Sequence, residues 1–243
     1  AWAYFKVQGY VEAVQTFARL LDRVDSAAAS GGRVRAGGRL RPEALRFLAM
    51  SIVYVDWERL ATTPEGPNPL ALQRLRQFVP ESSPWAAAAF FETGGILFEE
   101  QRTVDAVAVW RYALAHWPTN RRAPEITEQV RVALHNVQDE QGEAEMIDAL
   151  GRFGEGSDWW NANQDHPAEQ IRAADLARNA LLDSAFSHHE AAQARQATCT
   201  GDEQQDPACQ AAARREYLAA AEAYRVYLER YPNDPRAYEL HYS

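Results

Sequence analysis

The stretch from Phe90 to Pro118 constrains the fold of this chain more than any other part of the sequence. Its small and aromatic residues recur at steps of three and four, which place side chains on one face of an α-helix. The residues that carry the pattern are Phe90, Gly94, Leu97, Ala106, Trp110, Ala113 and Pro118. Gly94 and Ala106 are small enough for two antiparallel helices to approach closely, and Pro118 helps to end the second helix. The spacing therefore predicts a helix–turn–helix unit whose apolar face packs on neighbouring units.

This unit resembles one repeat of the tetratricopeptide repeat (TPR) family, in which a helix pair of about 34 residues carries the same order of aromatic, small and proline residues. Thr93 stands where the family has Leu. The spacing of the second helix recurs in two further windows of the chain. These windows are Tyr217, Ala220, Tyr224, Tyr227 and Pro232 near the C-terminus, and Tyr10, Ala13, Phe17 and Leu20 near the N-terminus. The resemblance implies a right-handed α-solenoid that binds other proteins.

We predict an all-α fold: an irregular right-handed α-solenoid of antiparallel, TPR-like helix pairs, occupying residues 1–243 as one segment of a longer array. The predicted pairs cover residues 1–24, 41–79, 84–117, 124–152 and 167–231, and a further helix begins within 235–243. Pro42 is expected in the first turn of a helix, after a glycine-rich loop from Ser30 to Gly38. The helix that begins at Pro167 is longer than a standard repeat helix, so the last pair is predicted to form a long helical hairpin.

Composition and charge narrow the classes of function. The chain has 243 residues, of which 47% are hydrophobic and 24% are charged, and the prevalence of Ala, Arg, Glu, Gln and Leu is typical of helices. The formal net charge of −9 argues against a general nucleic-acid-binding role, which needs a basic surface. No apolar run is long enough to span a bilayer. The expected partners are other proteins, with no nucleic acid and no membrane-spanning segment.

The sequence shows no catalytic constellation. It has no Gly-x-Ser-x-Gly, P-loop or dinucleotide motif, so we predict that the chain is not an enzyme and uses no cofactor. His188, His189 and Glu190 are adjacent on one helix and point in different directions, so we interpret them as a polar helix face and predict no metal site.

Trp159 and Trp160 either anchor a partner or pack beneath the next helix. A local run of basic residues either lies in a solvated loop or binds an anionic partner. Its members are Arg33, Arg35, Arg39, Arg41 and Arg46.

The only two cysteines, Cys199 and Cys209, flank a polar, turn-rich segment between two predicted helices. A disulfide between them would join the two helices at the tip of the hairpin. The alternative is a pair of free thiols. A disulfide indicates an oxidising compartment, so we expect a periplasmic or otherwise exported protein, with a cytoplasmic location as the alternative.

The TPR resemblance also implies a ligand groove, because the first helices of such repeats line a concave surface. In the first helix of the Phe90–Pro118 unit, which we call the signature helix, the groove-facing positions would be Ala88, Phe91, Gly95 and Phe98. In the helix after Pro42 they would be Arg46, Met50, Val53 and Tyr54. Phe91 and Phe98 either bind a partner or pack on the adjacent repeat. The hypothesis is an apolar groove, built from Phe91, Phe98, Met50 and Tyr54, that receives a segment of another protein.

The function expected from this resemblance is a protein–protein interaction scaffold within a larger bacterial cell-envelope assembly. The Trp-Trp-Asn-Ala-Asn segment at 159–163, followed by a long helix with two histidines, is similar to large periplasmic TPR proteins of myxobacteria-like bacteria, some of which belong to gliding-motility machines. The alternative is a regulatory or substrate-recruiting solenoid domain attached to an enzyme or transporter outside this segment.

Overall fold

The structure of the chain, a computed structural model, describes residues 1–29, 37–60, 70–199 and 207–236. Every regular element in these ranges is helical, which confirms the prediction of an all-α chain. Arg33 and Arg35, the side chain of Arg39 and most of the predicted helix at 235–243 lie outside the described residues.

Eleven α-helices and one short 3-10 helix follow each other along the described ranges. They are α1 Trp2–Lys6, α2 Tyr10–Ala29, α3 Gly37–Leu60, α4 Leu70–Phe78, α5 Ala86–Glu99, α6 Thr103–His116, α7 Ala123–Asn136, α8 Glu140–Leu150, the 3-10 helix Gly151–Phe153, α9 Asp158–Ala162, α10 Pro167–Thr198 and α11 Pro207–Arg230. The predicted start of the third helix is wrong: α3 begins at Gly37, and Pro42 lies inside it. Proline favours the first turn of a helix but is not confined to it, so the position of Pro42 did not fix the first residue of this helix.

The chain divides into two compact units, Ala1–Ala144 and Glu145–Ser243, and the boundary falls within α8. In the first unit, consecutive helices pack on each other from α1 to α3 and from α5 to α7. In addition, α3 packs on α5, and α4 packs on α6. The largest fully buried side chains of this unit come from α2 to α7 and the turn before α5: Trp85, Trp110, Phe17, Phe90, Leu21, Leu48, Ile52, Leu75, Leu97 and Ile126.

The contact between α5 and α6 is built on a glycine beneath an indole ring. A Cβ atom added at Gly94 would lie 2.2 Å from Nε1 and 2.4 Å from Cδ1 of Trp110, so only glycine fits there. The indole is held in place because its Nε1–H donates to the carbonyl oxygen of Phe91 at 3.1 Å. The close contact between α5 and α6 therefore depends on the Trp110–Phe91 hydrogen bond and on the absence of a side chain at Gly94.

A second indole joins α2 to the start of α5. Trp85 is fully buried, and its Nε1–H donates to Oδ1 of Asp22 at 2.7 Å. In the same region, Arg41 of α3 pairs with Asp25 of α2 through Nε and Oδ1 at 2.8 Å. These two carboxylates hold α2 against the helices that follow it.

The second unit is organised around α10 and α11, which pack on each other along their lengths as an antiparallel hairpin. Its base has a core of large side chains, namely Ile147, Leu150, Leu181, Leu182 and Tyr227, together with Ala177 and Ala180. Beyond Leu182 the buried side chains become small: Ala185, Ala192, Cys199, Ala213 and Ala220. The Sγ atoms of Cys199 and Cys209 lie at disulfide-bonding distance at the far end, with Cα atoms 6.0 Å apart, within the range of disulfides.

The short helix α9 explains the position of the tryptophan pair. Ser157 precedes it, and its side chain accepts from the backbone N–H of Trp160 at 3.1 Å, an ordinary N-cap. Trp159 is 3% exposed and packs edge-to-face on Phe153, with ring centroids 5.6 Å apart. Gln170 of α10 donates to the carbonyl oxygen of Trp160 at 3.1 Å. Of the two alternatives for Trp159, the structure shows packing.

Candidate interaction surface on α3 and α5

Arg46 of α3 bridges to α5 across the contact between these two helices. Its Nη1 lies 3.5 Å from Oε1 of Glu92, and its Nη2 lies 3.2 Å from Oε2 of Glu99. The Arg46 side chain is 52% exposed, so each of these ion pairs contributes little net stability. Their structural effect is to place one cation and two carboxylates along one edge of the surface.

The two helices also carry partly exposed positions. Met50 and Tyr54 belong to α3, and Gly95 and Phe98 belong to α5; all four are partly exposed. A Cβ atom added at Gly95 would meet no atom of the described residues within 4 Å, so the backbone of α5 is open to them at this point. We call Arg46, Met50, Tyr54, Glu92, Gly95, Phe98 and Glu99 the α3–α5 surface.

Two predicted groove residues do not line this surface. Val53 is 3% exposed and Phe91 is 2% exposed, so both are buried in the first unit. The guanidinium carbon of Arg122, just before α7, lies 5.8 Å from the centroid of the Phe91 ring, a cation–π contact. Phe91 therefore takes the packing alternative. Ala88, which was also predicted to face the groove, is partly exposed.

Sequence reasoning missed the two carboxylates of the α3–α5 surface. Glu92 and Glu99 follow Ala88 at steps of four and eleven, which return to the same side of a helix. The spacing alone could have placed both carboxylates on the groove-facing side of the helix. It could not predict that Arg46 of α3 would lie opposite them.

An aromatic cluster adjoins Tyr54 on the side of α1 and α2. The Tyr54 ring centroid lies 6.0 Å from that of Phe5 and 6.2 Å from that of Tyr10, and Phe5 lies 5.0 Å from Phe47. Trp2 completes the cluster through edge-to-face contacts with Phe17 and Phe47, and the Phe17 ring stacks on that of Phe47. The cluster fixes the position of Tyr54 on the α3–α5 surface.

The predicted repeat-core residues occupy two environments. Seven of the eight that lie inside helices are buried: Phe90, Gly94, Leu97, Ala106, Trp110, Ala113 and Ala220. Pro118 and Pro232 are exposed, in the turns that follow their helices, and Tyr224 is partly exposed. The fully buried aromatic of α11 is Tyr227 instead, one helical turn further along.

The titratable clusters of the first unit join helices to one another. Arg131 of α7 is 7% exposed, and it donates to Glu128 and to Glu143 of α8 at 2.8 Å each. The hydrogen bond with Glu128 raises the pKa of the Arg131 guanidinium, which stays charged. Burial, followed by the hydrogen bond to Glu81, raises the pKa of the Tyr112 phenol, so this group stays protonated at neutral pH.

The histidine pair of α10 divides between the two edges of the hairpin. Nδ1 of His188 lies 3.0 Å from Oε2 of Glu216, whereas the His189 ring packs edge-to-face on Tyr217 and Tyr224. The two rings thus face different partners. Within the described ranges, no three His, Cys, Asp or Glu side chains are grouped so that they could hold a metal ion.

None of the helices in the described part of the chain has the length and apolar character needed to cross a bilayer. Comparisons with family models, with curated proteins and with solved structures find no match to this chain.

Proposed function

We propose that the chain is a protein–protein interaction module of TPR-like helix pairs, and that the α3–α5 surface receives a segment of a partner protein. The packing of α3 on α5 and of α4 on α6 supports this proposal. In stacked helix pairs, first helices pack on first helices and second helices on second helices, and each pair covers the apolar face of the next.

One observation carries the proposal: partly exposed apolar side chains and an open stretch of backbone occur on two helices that pack on each other. Met50 and Tyr54 of α3 and Phe98 of α5 are partly exposed, and at Gly95 of α5 the backbone is open with respect to the described residues. The ion pairs of Arg46 form a polar rim at the edge of the α3–α5 surface. An apolar centre with a polar rim is the usual anatomy of a protein interface, and a bare glycine permits close approach of a partner backbone.

The compartment is proposed on separate grounds. The cysteine pair at disulfide-bonding distance supports an oxidising location, the periplasm or the exterior of a bacterium. Membership of a cell-envelope assembly, and of a motility machine in particular, stays a prediction from the resemblance of the sequence.

The experiment is affinity capture of the native protein from its own organism, with quantitative mass spectrometry, using wild type and Gly95→Gln. The Cβ of the added side chain would meet no atom of the described residues within 4 Å, the rest of the side chain would extend over the open stretch, and glutamine is a better helix former than glycine. We expect the specific partner to be lost at least about tenfold, which corresponds to about 1.4 kcal/mol of binding free energy.

Two matched controls define the outcome. Gly95→Ala makes a similar improvement in helix propensity with only a methyl group and should weaken binding less than Gly95→Gln. Val104→Gln alters a 62% exposed side chain on α6, outside the proposed surface, and should retain the partner. Retention of the partner by a folded Gly95→Gln protein, or absence of any specific partner on the wild type, would contradict the assignment of this surface.

A further inference from the structure

The distal half of the α10–α11 hairpin has a core of small side chains. The buried residues beyond Leu182 are Ala185, Ala192, Cys199, Ala213 and Ala220, whereas the base buries leucines, an isoleucine and Tyr227. A buried methyl group removes far less apolar area from water than a buried leucine or tyrosine side chain. Helix packing therefore stabilises the base of the hairpin much more than its distal half.

The polar contacts along the edges of the distal half are open to solvent. Glu216 lies 3.0 Å from Nδ1 of His188 and 3.3 Å from Nε of Arg195, and the hydroxyl of Tyr217 donates to Gln196 at 2.6 Å. The His188 and Arg195 side chains are 36% and 53% exposed. Exposed ion pairs and hydrogen bonds add little net stability, so these contacts do not replace a core in offsetting the entropy lost by two ordered helices.

We propose that the bond between Cys199 and Cys209, and not helix packing, holds the distal half of the hairpin together. The hairpin would then have a redox-sensitive tip on a redox-insensitive base. Cys199 closes the end of α10 and is 6% exposed. Cys209 lies in the first turn of α11 and is partly exposed. Of the two residues, Cys209 is the more exposed with respect to the described part of the chain, so its sulfur is the one that a reductant would attack.

The redox step needs a dithiol reductant. One thiolate of the reductant attacks Sγ of Cys209, the S–S bond breaks, and Cys199 leaves as a thiolate that takes up a proton. The second thiol of the reductant then displaces Cys209 from the mixed disulfide, and Cys209 is released as a thiol. Two electrons and two protons pass from the dithiol, which becomes a disulfide, to the two cysteines. Both helix ends are then free to fray, and the Tyr217–Gln196 contact opens with them.

The test is amide hydrogen exchange on the whole chain, followed by mass spectrometry, before and after reduction with dithiothreitol. We expect amides at 188–198 and 210–220 to lose protection by about a hundredfold, the factor that closing a loop of this length contributes in the chain-entropy model. Amides at 170–182 and 224–230 should keep their protection, because the core of the base does not depend on the bond.

A double variant, Cys199→Ala with Cys209→Ala, serves as the matched control. It keeps the small core and should show the exchange pattern of the reduced wild type, with no further response to dithiothreitol. If reduction left the tip as protected as before, helix packing would be sufficient and the proposal would be wrong. Equal loss of protection in tip and base would also overturn it, because the hairpin would then behave as one cooperative element.

Discussion

The neighbouring glycines of α5 offer a sharp test of the packing, because alanine should have opposite effects at the two positions. At Gly95 the new methyl group meets no atom of the described ranges within 4 Å, and alanine is about 0.8–1.0 kcal/mol more favourable than glycine inside a helix. Gly95→Ala should therefore raise the free energy of unfolding of the first unit by about 1 kcal/mol.

At Gly94 the same methyl group would lie 2.2, 2.4 and 2.7 Å from three atoms of the Trp110 ring. The ring must move, which costs about 1–3 kcal/mol as overpacking. Its buried N–H then loses the Phe91 carbonyl oxygen, which costs about 1–3 kcal/mol more. After subtraction of the helix-propensity gain, Gly94→Ala should destabilise the unit by about 3 kcal/mol. At about 2–4 °C per kcal/mol, Tm falls by roughly 10 °C.

The assay is urea denaturation followed by tryptophan fluorescence and circular dichroism, with a double-mutant cycle. In a Trp110→Leu background the ring is gone, so Gly94→Ala should become neutral or stabilising. A Gly94→Ala protein as stable as the wild type would refute the interlock of the two helices. A penalty of the same size in the Trp110→Leu background would show that the strain arises elsewhere.

Three further predictions concern hydrogen bonds and ion pairs. Trp85→Phe leaves Asp22 without its indole donor and should lower the free energy of unfolding by about 1–3 kcal/mol; Asp22→Asn, which keeps an acceptor, should cost less in the same urea titration. Arg131→Gln breaks ion pairs with two carboxylates and should cost about 2 kcal/mol, with amide exchange in α7 and α8 as the local readout. The hydrogen bond from Arg236 lowers the pKa of the Asp234 carboxyl in the folded chain. Its stabilising effect is therefore present above the unfolded pKa of about 3.9 and is lost as pH falls through the lower folded pKa. Asp234→Asn should remove that part of the acid dependence, and an unchanged pH profile of unfolding between about pH 2 and 5 would contradict it.

Helical periodicity made the all-α fold and the burial of the signature unit accessible from sequence. Small residues at helical spacing opposite a large aromatic have few solutions other than close helix packing, and Gly94 with Trp110 is such a case. The long C-terminal hairpin was also accessible, because Pro167 marks a helix start and no breaker follows it until the cysteine segment.

Other features depended on neighbours that are distant in sequence. Phe91 and Phe98 are one heptad apart on one helix, yet Phe91 is buried and Phe98 is partly exposed. Arg122 lies against the Phe91 ring, whereas Phe98 packs on Trp110. The start of α3 at Gly37 was missed because glycine permits helical and loop conformations alike. The helix α9 was missed although Ser157 followed by Asp158 is an N-cap signal; the nearby glycines outweighed it.

The buried residues of the hairpin recur at a fixed spacing, which sets the step by which its length can change. Ala185, Ala192 and Cys199 follow each other at intervals of seven, and so do Ala213, Ala220 and Tyr227. Seven residues are about two helical turns, or about 10 Å of rise. Matched removal or insertion of seven residues in both helices would change the reach of the hairpin by that step and keep the cysteines opposed. A change of one residue in one helix would turn its cysteine by about 100° and separate the pair. Changes in the length of this hairpin should therefore be tolerated in whole heptads.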